Sequence, residues 1–195
     1  FVTWDEMGGH LWIMRSDETE EPKKISKKPS LWIDPVWTPS GSSIVAIKAP
    51  LISSLISPQL KNGSVPNDAD LVLMSIDSGL VRTLSKVHGH RKPHFGPTSD
   101  KVFLSGKTLI SIAMDGSGSK TEFNSESNNA RELRINPSGS HILAVNTSSI
   151  DLHRIKYIDS EKIRSISQIN IPVIMDDPNH VVWSDNGKEV LTVNG

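Results

Sequence analysis

Apolar and polar residues alternate along most of the chain in short runs of period two, broken every eight to twelve residues by Pro, Gly, Asn, Asp or Ser. Period two is the signature of β-strands, and the breaks mark turns. No window carries a sustained 3.6-residue apolar period, so the pattern predicts almost no helix. Four segments align without a gap: Trp37 to Ile44, Phe95 to Val102, Ile135 to Ile142 and Trp183 to Val190. Each opens on a large apolar anchor. Pro39, Pro97, Pro137 or Asp185 follows two positions later, and Gly41, Ser99, Gly139 or Gly187 four positions later. A β-branched residue closes each segment, and an apolar one comes next: Val45, Phe103, Leu143 or Leu191. This is the pattern of a hairpin. Proline presets φ, glycine supplies positive φ, and short polar side chains bond their own backbone.

A second hairpin follows the first. Leu11 to Asp17, Leu71 to Asp77 and Leu109 to Asp115 share one spacing and run into polar turns. A fourth copy, Ile150 to Lys156, keeps the strand but loses the aspartate. Each unit thus has four strands in up-and-down order, here called A to D. Residues 34–85, 94–124 and 133–168 read as complete units. Residues 1–26 read as strands B, C and D of another unit, and 181–195 as strands A and B of a fifth. The fold expected is all-β: a β-propeller of four-stranded antiparallel blades in an incomplete ring of three full and two partial blades. At ~40–45 residues per blade, 195 residues make about four and a half units.

Composition narrows the function. Lys plus Arg is 21 and Asp plus Glu is 22, a net charge of −1. There is no basic field to hold nucleic acid, and no apolar run approaches the ~20 residues of a membrane helix. Cysteine is absent, which excludes a disulfide scaffold, a thiolate metal site and a cysteine nucleophile. No nucleophile elbow, phosphate-binding glycine loop or zinc-protease helix motif occurs. No catalytic residue and no cofactor are therefore assigned to this chain.

The turn segments resemble those of a known repeat. Trp37-Thr-Pro-Ser-Gly41, Ile135-Asn-Pro-Ser-Gly139 and Trp183-Ser-Asp-Asn-Gly187 are similar to the A–B turn of TolB-like, WD40-like propeller blades. His10-Leu-Trp-Ile-Met-Arg-Ser-Asp17 is similar to the C–D strand of the same repeats. Pro93-His-Phe-Gly-Pro97, Leu109 to Gly116 and Ala130-Arg-Glu-Leu133 resemble the propeller attached to bacterial metal-dependent amidohydrolases. That resemblance implies a non-catalytic propeller of a larger hydrolase, packed on its catalytic domain and shaping substrate access. The alternatives are a TolB-like protein-interaction propeller and the propeller of a prolyl-oligopeptidase-like peptidase. The expected partner is a catalytic domain of the same polypeptide or another protein. The expected location is bacterial, periplasmic or extracellular.

Strand order divides the loops between two faces. The A–B and C–D turns share one face, expected to be short and bland. The B–C loops and D-to-A linkers share the other. Trp37 to Leu71 spans 34 positions, whereas Phe95 to Leu109 spans 14 and Ile135 to Ile150 spans 15. Residues 49–70 therefore hold an insertion, with Leu51, Ile52, Leu55 and Ile56 as candidate docking residues. The alternative is an excursion packed on its own blade. The linker after this unit carries His88, His90 and His94, candidate ligands for zinc or nickel. Arg91 and Lys92 would repel a cation there, so His88, His90 and Arg91 suit an anion or an acidic partner surface better. Arg131 is a further interaction candidate, and Arg131 or Arg134 could pair with Glu132 or a partner carboxylate. Asp34, Lys92, Glu132 and His180 each lie three before an anchor and would ring the mouth of a central channel. The Lys23–Lys24 and Lys27–Lys28 pairs are expected to blunt a strand edge.

Overall fold

The structure is a computed structural model that describes residues 1–51, 65–89, 91–106, 108–124, 132–145, 149–156, 159–170, 180–184 and 186–193. The described strands form five antiparallel sheets. The first holds β1 (Val2–Asp5), β2 (Gly8–Ile13) and β3 (Lys23–Lys24). The second holds β4 (Leu31–Trp37), β5 (Ser43–Ala49), β6 (Asp70–Ser75) and β7 (Val81–Lys86). The third holds β8 (Arg91–Phe95), β9 (Lys101–Ser105), β10 (Thr108–Ala113) and β11 (Ser119–Asn124). The fourth holds β12 (Glu132–Ile135), β13 (His141–Val145), β14 (Ser149–Lys156) and β15 (Asp159–Asn170). The fifth holds β16 (His180–Trp183) and β17 (Val190–Val193). In every sheet, strands adjacent in sequence are adjacent in space, so each unit is a meander of hairpins.

The chain forms two compact units, Phe1–Pro93 with Asp115–Gly118, and His94–Met114 with Ser119–Gly195. In the first unit the core joins Leu11 and Ile25 to Trp32, Ile44, Ala46, Val72 and Met74. Ile44 and Ala46 alternate along β5, and Val72 and Met74 along β6, as period two requires. The intervening Val45, Ile47 and Leu71 are buried too. A sheet buried on both faces needs an unbroken apolar run, which is how residues 44–47 read.

In the second unit one strand serves two cores. Ile142 and Ala144 of β13 pack with Phe103, Leu109, Phe123, Leu133 and Ile135. Leu143 and Val145, pointing the other way, pack with Trp183 and Val190. Apolar side chains thus join successive sheets of this unit face to face. Burying a side chain such as Phe103, which is fully enclosed, contributes roughly 1.5–3 kcal/mol.

The A–B turns repeat in atomic detail. Gly41, Gly139 and Gly187 have φ of 69°, 72° and 67°, the left-handed region that glycine enters without a Cβ penalty. Their amides donate to the carbonyls of Thr38, Asn136 and Ser184 at 2.8, 2.9 and 2.8 Å. The residue just after each anchor also clamps the hairpin with its side chain. Thr38 Oγ1 accepts from the Ser43 amide (3.2 Å) and donates to its carbonyl (3.0 Å). Ser184 Oγ does the same with Glu189, at 3.0 and 3.2 Å. Asn136 Oδ1 accepts from the amides of Ser140 (2.9 Å) and His141 (3.1 Å). The corresponding residue of the remaining repeat is Gly96. A Cβ there would lie 2.7 Å from the Phe103 ring and 3.2 Å from Ile135 Cγ2, so packing excludes a clamping side chain.

The C–D turns use aspartate in a second recurring way. Asp17 Oδ1 accepts from the Thr19 amide, and Asp115 Oδ1 from the Ser117 amide. Both are Asx-turns, in which the side chain replaces a backbone carbonyl. Strand β3, which is Lys23–Lys24, lies at the edge of the first sheet with both lysines exposed, as the sequence predicts, whereas Lys27 and Lys28 fall in an exposed bend outside the strand.

Candidate functional site

The four positions three before the anchors fall into two groups. Asp34 and Lys92 have φ of 48° and 52°, two of the three non-glycine residues with positive φ among the described residues. Each precedes a proline, Pro35 or Pro93, which has no amide to give the ladder. At Asp34 the pairing of β4 with β5 shifts between Ile33 and Val36, a bulge that carries the proline. Asp34 Oδ2 accepts from the Lys92 amide at 3.0 Å. Two equivalent positions, 58 residues apart, are therefore bonded to one another. Glu132 and His180 lack a following proline and behave as ordinary strand residues. Glu132 is buried and accepts from Arg134 Nε. His180 begins β16 opposite Val193.

The histidine linker does not present three free ligands. His94 is buried against Phe103, with ring centroids 5.9 Å apart. Its Nε2 accepts from the Ile135 amide at 3.2 Å, so that lone pair holds the start of a turn and is not open to a metal. His88 lies in an exposed bend, and Arg91 begins β8. No group of three His, Asp or Glu side chains is placed to hold a metal among the described residues. Leu51 is half-buried, and a Cβ on Gly8 would fall 2.3 Å from its Cδ2, so Leu51 packs on the first sheet. Val65 and Ala69, at the far end of the same insertion, are buried as well. Both described ends of residues 49–70 thus pack inward. Ile52, Leu55, Ile56, His90 and Arg131 lie outside the described residues.

Two arrangements emerge that spacing alone does not reveal. The first joins Asp5, His10 and Ser26. His10 Nε2 is 3.4 Å from Asp5 Oδ2, and His10 Nδ1 is 3.3 Å from Ser26 Oγ. The residue types are those of a nucleophile relay. The geometry is not: Ser26 is only 3% exposed, and its Oγ already accepts from the Leu11 amide at 3.0 Å. No substrate carbonyl could reach it, and the trio serves to latch β2 to the chain beyond β3.

The second is an apolar cleft between the ends of β2 and β4. Trp12, Ile13 and Met14 form one side, and Val36, Trp37 and Ile44 the other. Met14 and Trp37 are 48% and 49% exposed. These strand ends enter the tight turns, so the face expected to be bland carries large exposed apolar side chains. Beside the cleft, Arg15 Nη2 and Nε donate to Asp17 at 2.9 and 3.1 Å. That guanidinium, helped by the Thr19 hydroxyl and amide, lowers the Asp17 carboxyl to about 2. The Ser117 hydroxyl and amide lower Asp115 in the same direction. Lys24 Nζ sits 5.3 Å from the Trp12 ring centroid.

No protein-family model matches the sequence. No curated protein matches it either. Solved structures do resemble it in shape. A putative TolB from Agrobacterium tumefaciens is 18% identical, with a TM-score of 0.60 over 98% of this chain and 69% of that one. TolB from Acinetobacter baumannii is 16% identical, with a TM-score of 0.65 over 98% of this chain and 45% of that one. An oligogalacturonate lyase in complex with manganese is 13% identical, with a TM-score of 0.62 over 91% of this chain and 51% of that one. The chain spans about half the length of the last two. At such identities the likeness shows fold alone. The fold is a TolB-like β-propeller of four-stranded antiparallel blades, as the repeat predicts. No helix among the described residues is long and apolar enough to cross a membrane.

Proposed function

We propose that this chain is a non-catalytic propeller module that works by docking a protein surface. The observation that carries the reading is the cleft between β2 and β4, where Trp37 and Met14 stand half-exposed next to one another's strands. Contiguous exposed apolar side chains rimmed by charge are a feature of interaction surfaces. Tryptophan is among the side chains that most often dominate binding energy. The polar groups that the fold brings together support binding over catalysis. Asp34, His94, Glu132 and Ser26 all make hydrogen bonds that hold the fold itself. The reading calls for no metal and no cofactor in this chain.

In its finer form the partner is the catalytic domain of a larger hydrolase of the amidohydrolase type, whose substrate access the propeller shapes. The resemblance of residues 93–97 and 130–133 supports this form. An envelope setting, periplasmic or extracellular, goes with the reading. Cross-linking and affinity capture with the intact propeller are the test. One protein or one appended domain, bound at a fixed ratio, is expected. A preparation that captures nothing at any concentration would overturn the docking role. The natural reading frame on either side of residues 1–195 tests the finer form. Absence of a barrel-sized α/β segment there would remove the hydrolase and leave a separate partner.

A further inference from the structure

We infer that Trp32 and Lys48 form a site for an oxyanion group, a carboxylate or a phosphate, at the end of the second sheet from which residues 49–70 spring. Four side chains share one row across that sheet. Trp32 of β4 lies opposite Lys48 of β5, Lys48 opposite Asp70 of β6, and Asp70 opposite Lys86 of β7. Directly opposed residues project from the same face of a sheet. On that face Ile44, Ala46, Val72 and Met74 belong to the core, so the row caps the core where its apolar stripe stops. Asp70 Oδ1 is 2.8 Å from Lys86 Nζ, which leaves Lys48 as the surplus cation of the row. Lys48 has no carboxylate partner among the described residues. Its Nζ is placed over the Trp32 ring, 5.6 Å from the centroid.

The indole N–H beside this ammonium is in the same condition. Trp32 is 5% exposed, and its Nε1 is buried with no hydrogen-bond acceptor among the described residues. An indole nitrogen and an ammonium both donate and neither accepts. They cannot satisfy each other, and both call for an oxygen. Nε1 belongs to the ring over which Nζ stands, so a group with two or more oxygens reaches both at ordinary bond lengths of about 2.9 Å. An anion also neutralises the row's extra positive charge, which a water or a neutral carbonyl does not. The blade itself does not require this pair. Lys48 stands four after Ile44, where Val102 and Ile142 are followed by Gly106 and Asn146. Trp32 stands five before Trp37, where His90 and Ala130 precede Phe95 and Ile135. The pair thus goes with the sheet that carries the insertion. It lies at the opposite end of β4 from Trp37 and the apolar cleft, and neither site depends on the other.

The experiment uses the full chain, isotope-labelled for NMR, and reads the indole N–H signals of its five tryptophans. Trp32→Phe identifies the Trp32 signal by deleting it. Sodium acetate and sodium phosphate are the probes, and sodium chloride at equal ionic strength is the control. The Trp32 proton should move downfield along a saturating curve with acetate, phosphate or both, and not with chloride. Saturation by acetate alone assigns the site to carboxylates, by phosphate alone to phosphate groups, and by both to oxyanions without preference. Lys48→Met should weaken binding about tenfold or more. Lys48→Arg, which keeps the charge and the donors, should retain it. Circular dichroism confirms that the variants fold. A Trp32 signal that acetate and phosphate move no further than chloride does would overturn the inference and leave a water as the acceptor. Saturation that survives Lys48→Met unchanged would overturn it too, since the ammonium would then take no part. The docking role is tested separately by capture and stands or falls without this site.

Discussion

Asn136→Ala removes one side chain from the turn between β12 and β13. Asn136 is 2% exposed. Its Oδ1 takes the amides of Ser140 and His141, and its Nδ2 donates to Ser138 Oγ at 2.9 Å and Ser140 Oγ at 3.3 Å. The serine hydroxyls reach water and lose little when Asn136 is cut back. The two amides are only half-exposed and regain solvent incompletely. At about 1 kcal/mol for each amide bond lost, with a further fraction for imperfect resolvation, the cost is about 2–3 kcal/mol. That is roughly 5–10 °C in melting temperature for a chain of this size. Urea unfolding followed by circular dichroism measures it. Asn136→Asp keeps the acceptor oxygen for both amides, and the serines can turn their hydroxyls toward the carboxylate. It should therefore retain most of the stability. A loss under about 0.5 kcal/mol for Asn136→Ala, or an equal loss for Asn136→Asp, would refute the clamp as the reason for a polar residue after the anchor.

Other consequences follow from the same contacts. Gly96→Ala drives a Cβ to within 2.7 Å of the Phe103 ring, and thermal unfolding should show a loss of about 1–3 kcal/mol, the usual cost of overpacking. Asp34→Ala deprives the Lys92 amide of its acceptor and should lower the urea midpoint by the equivalent of about 1–2 kcal/mol, whereas Asp34→Asn should not. Asp17 has a lowered carboxyl value, so its Arg15 and Thr19 contacts favour the fold above the ordinary aspartate range and are lost as pH falls through about 2. Carboxyl NMR should place its inflection there in the wild type, and nearer the usual 3.8 in Arg15→Ala. An unchanged inflection would show that the ion pair is not formed in solution.

Five sheets, their strand order and their turn types can all be read from the sequence, because those choices are local. Alternation at period two selects strands, and Pro, Gly, Asp and Asn punctuate them within four or five residues. The left-handed Gly41, Gly139 and Gly187 and the Asx-turns at Asp17 and Asp115 sit where the pattern put them. The Glu132–Arg134 pair was legible for the same reason, two residues apart on one strand. The clamp at Thr38, Asn136 and Ser184 was not legible: positions three, five and six after the anchor are polar in all four repeats, so a polar residue directly after it does not stand out.

Exposure and long-range pairing belong to the tertiary structure. Trp37 and Ile135 hold the same place in the repeat, yet one faces solvent and the other a core. Their own strands cannot decide this, because burial depends on what is stacked against the outer end of each sheet. His94 looked like a ligand in a His-rich linker and became an internal acceptor for an amide 41 residues away. The Asp34–Lys92 and His10–Ser26 contacts likewise join residues that no local pattern associates. Sequence determined the strands and the turns that join them. Packing of one sheet's side chains on the next decided which polar groups were consumed by the fold and which apolar ones were left facing solvent.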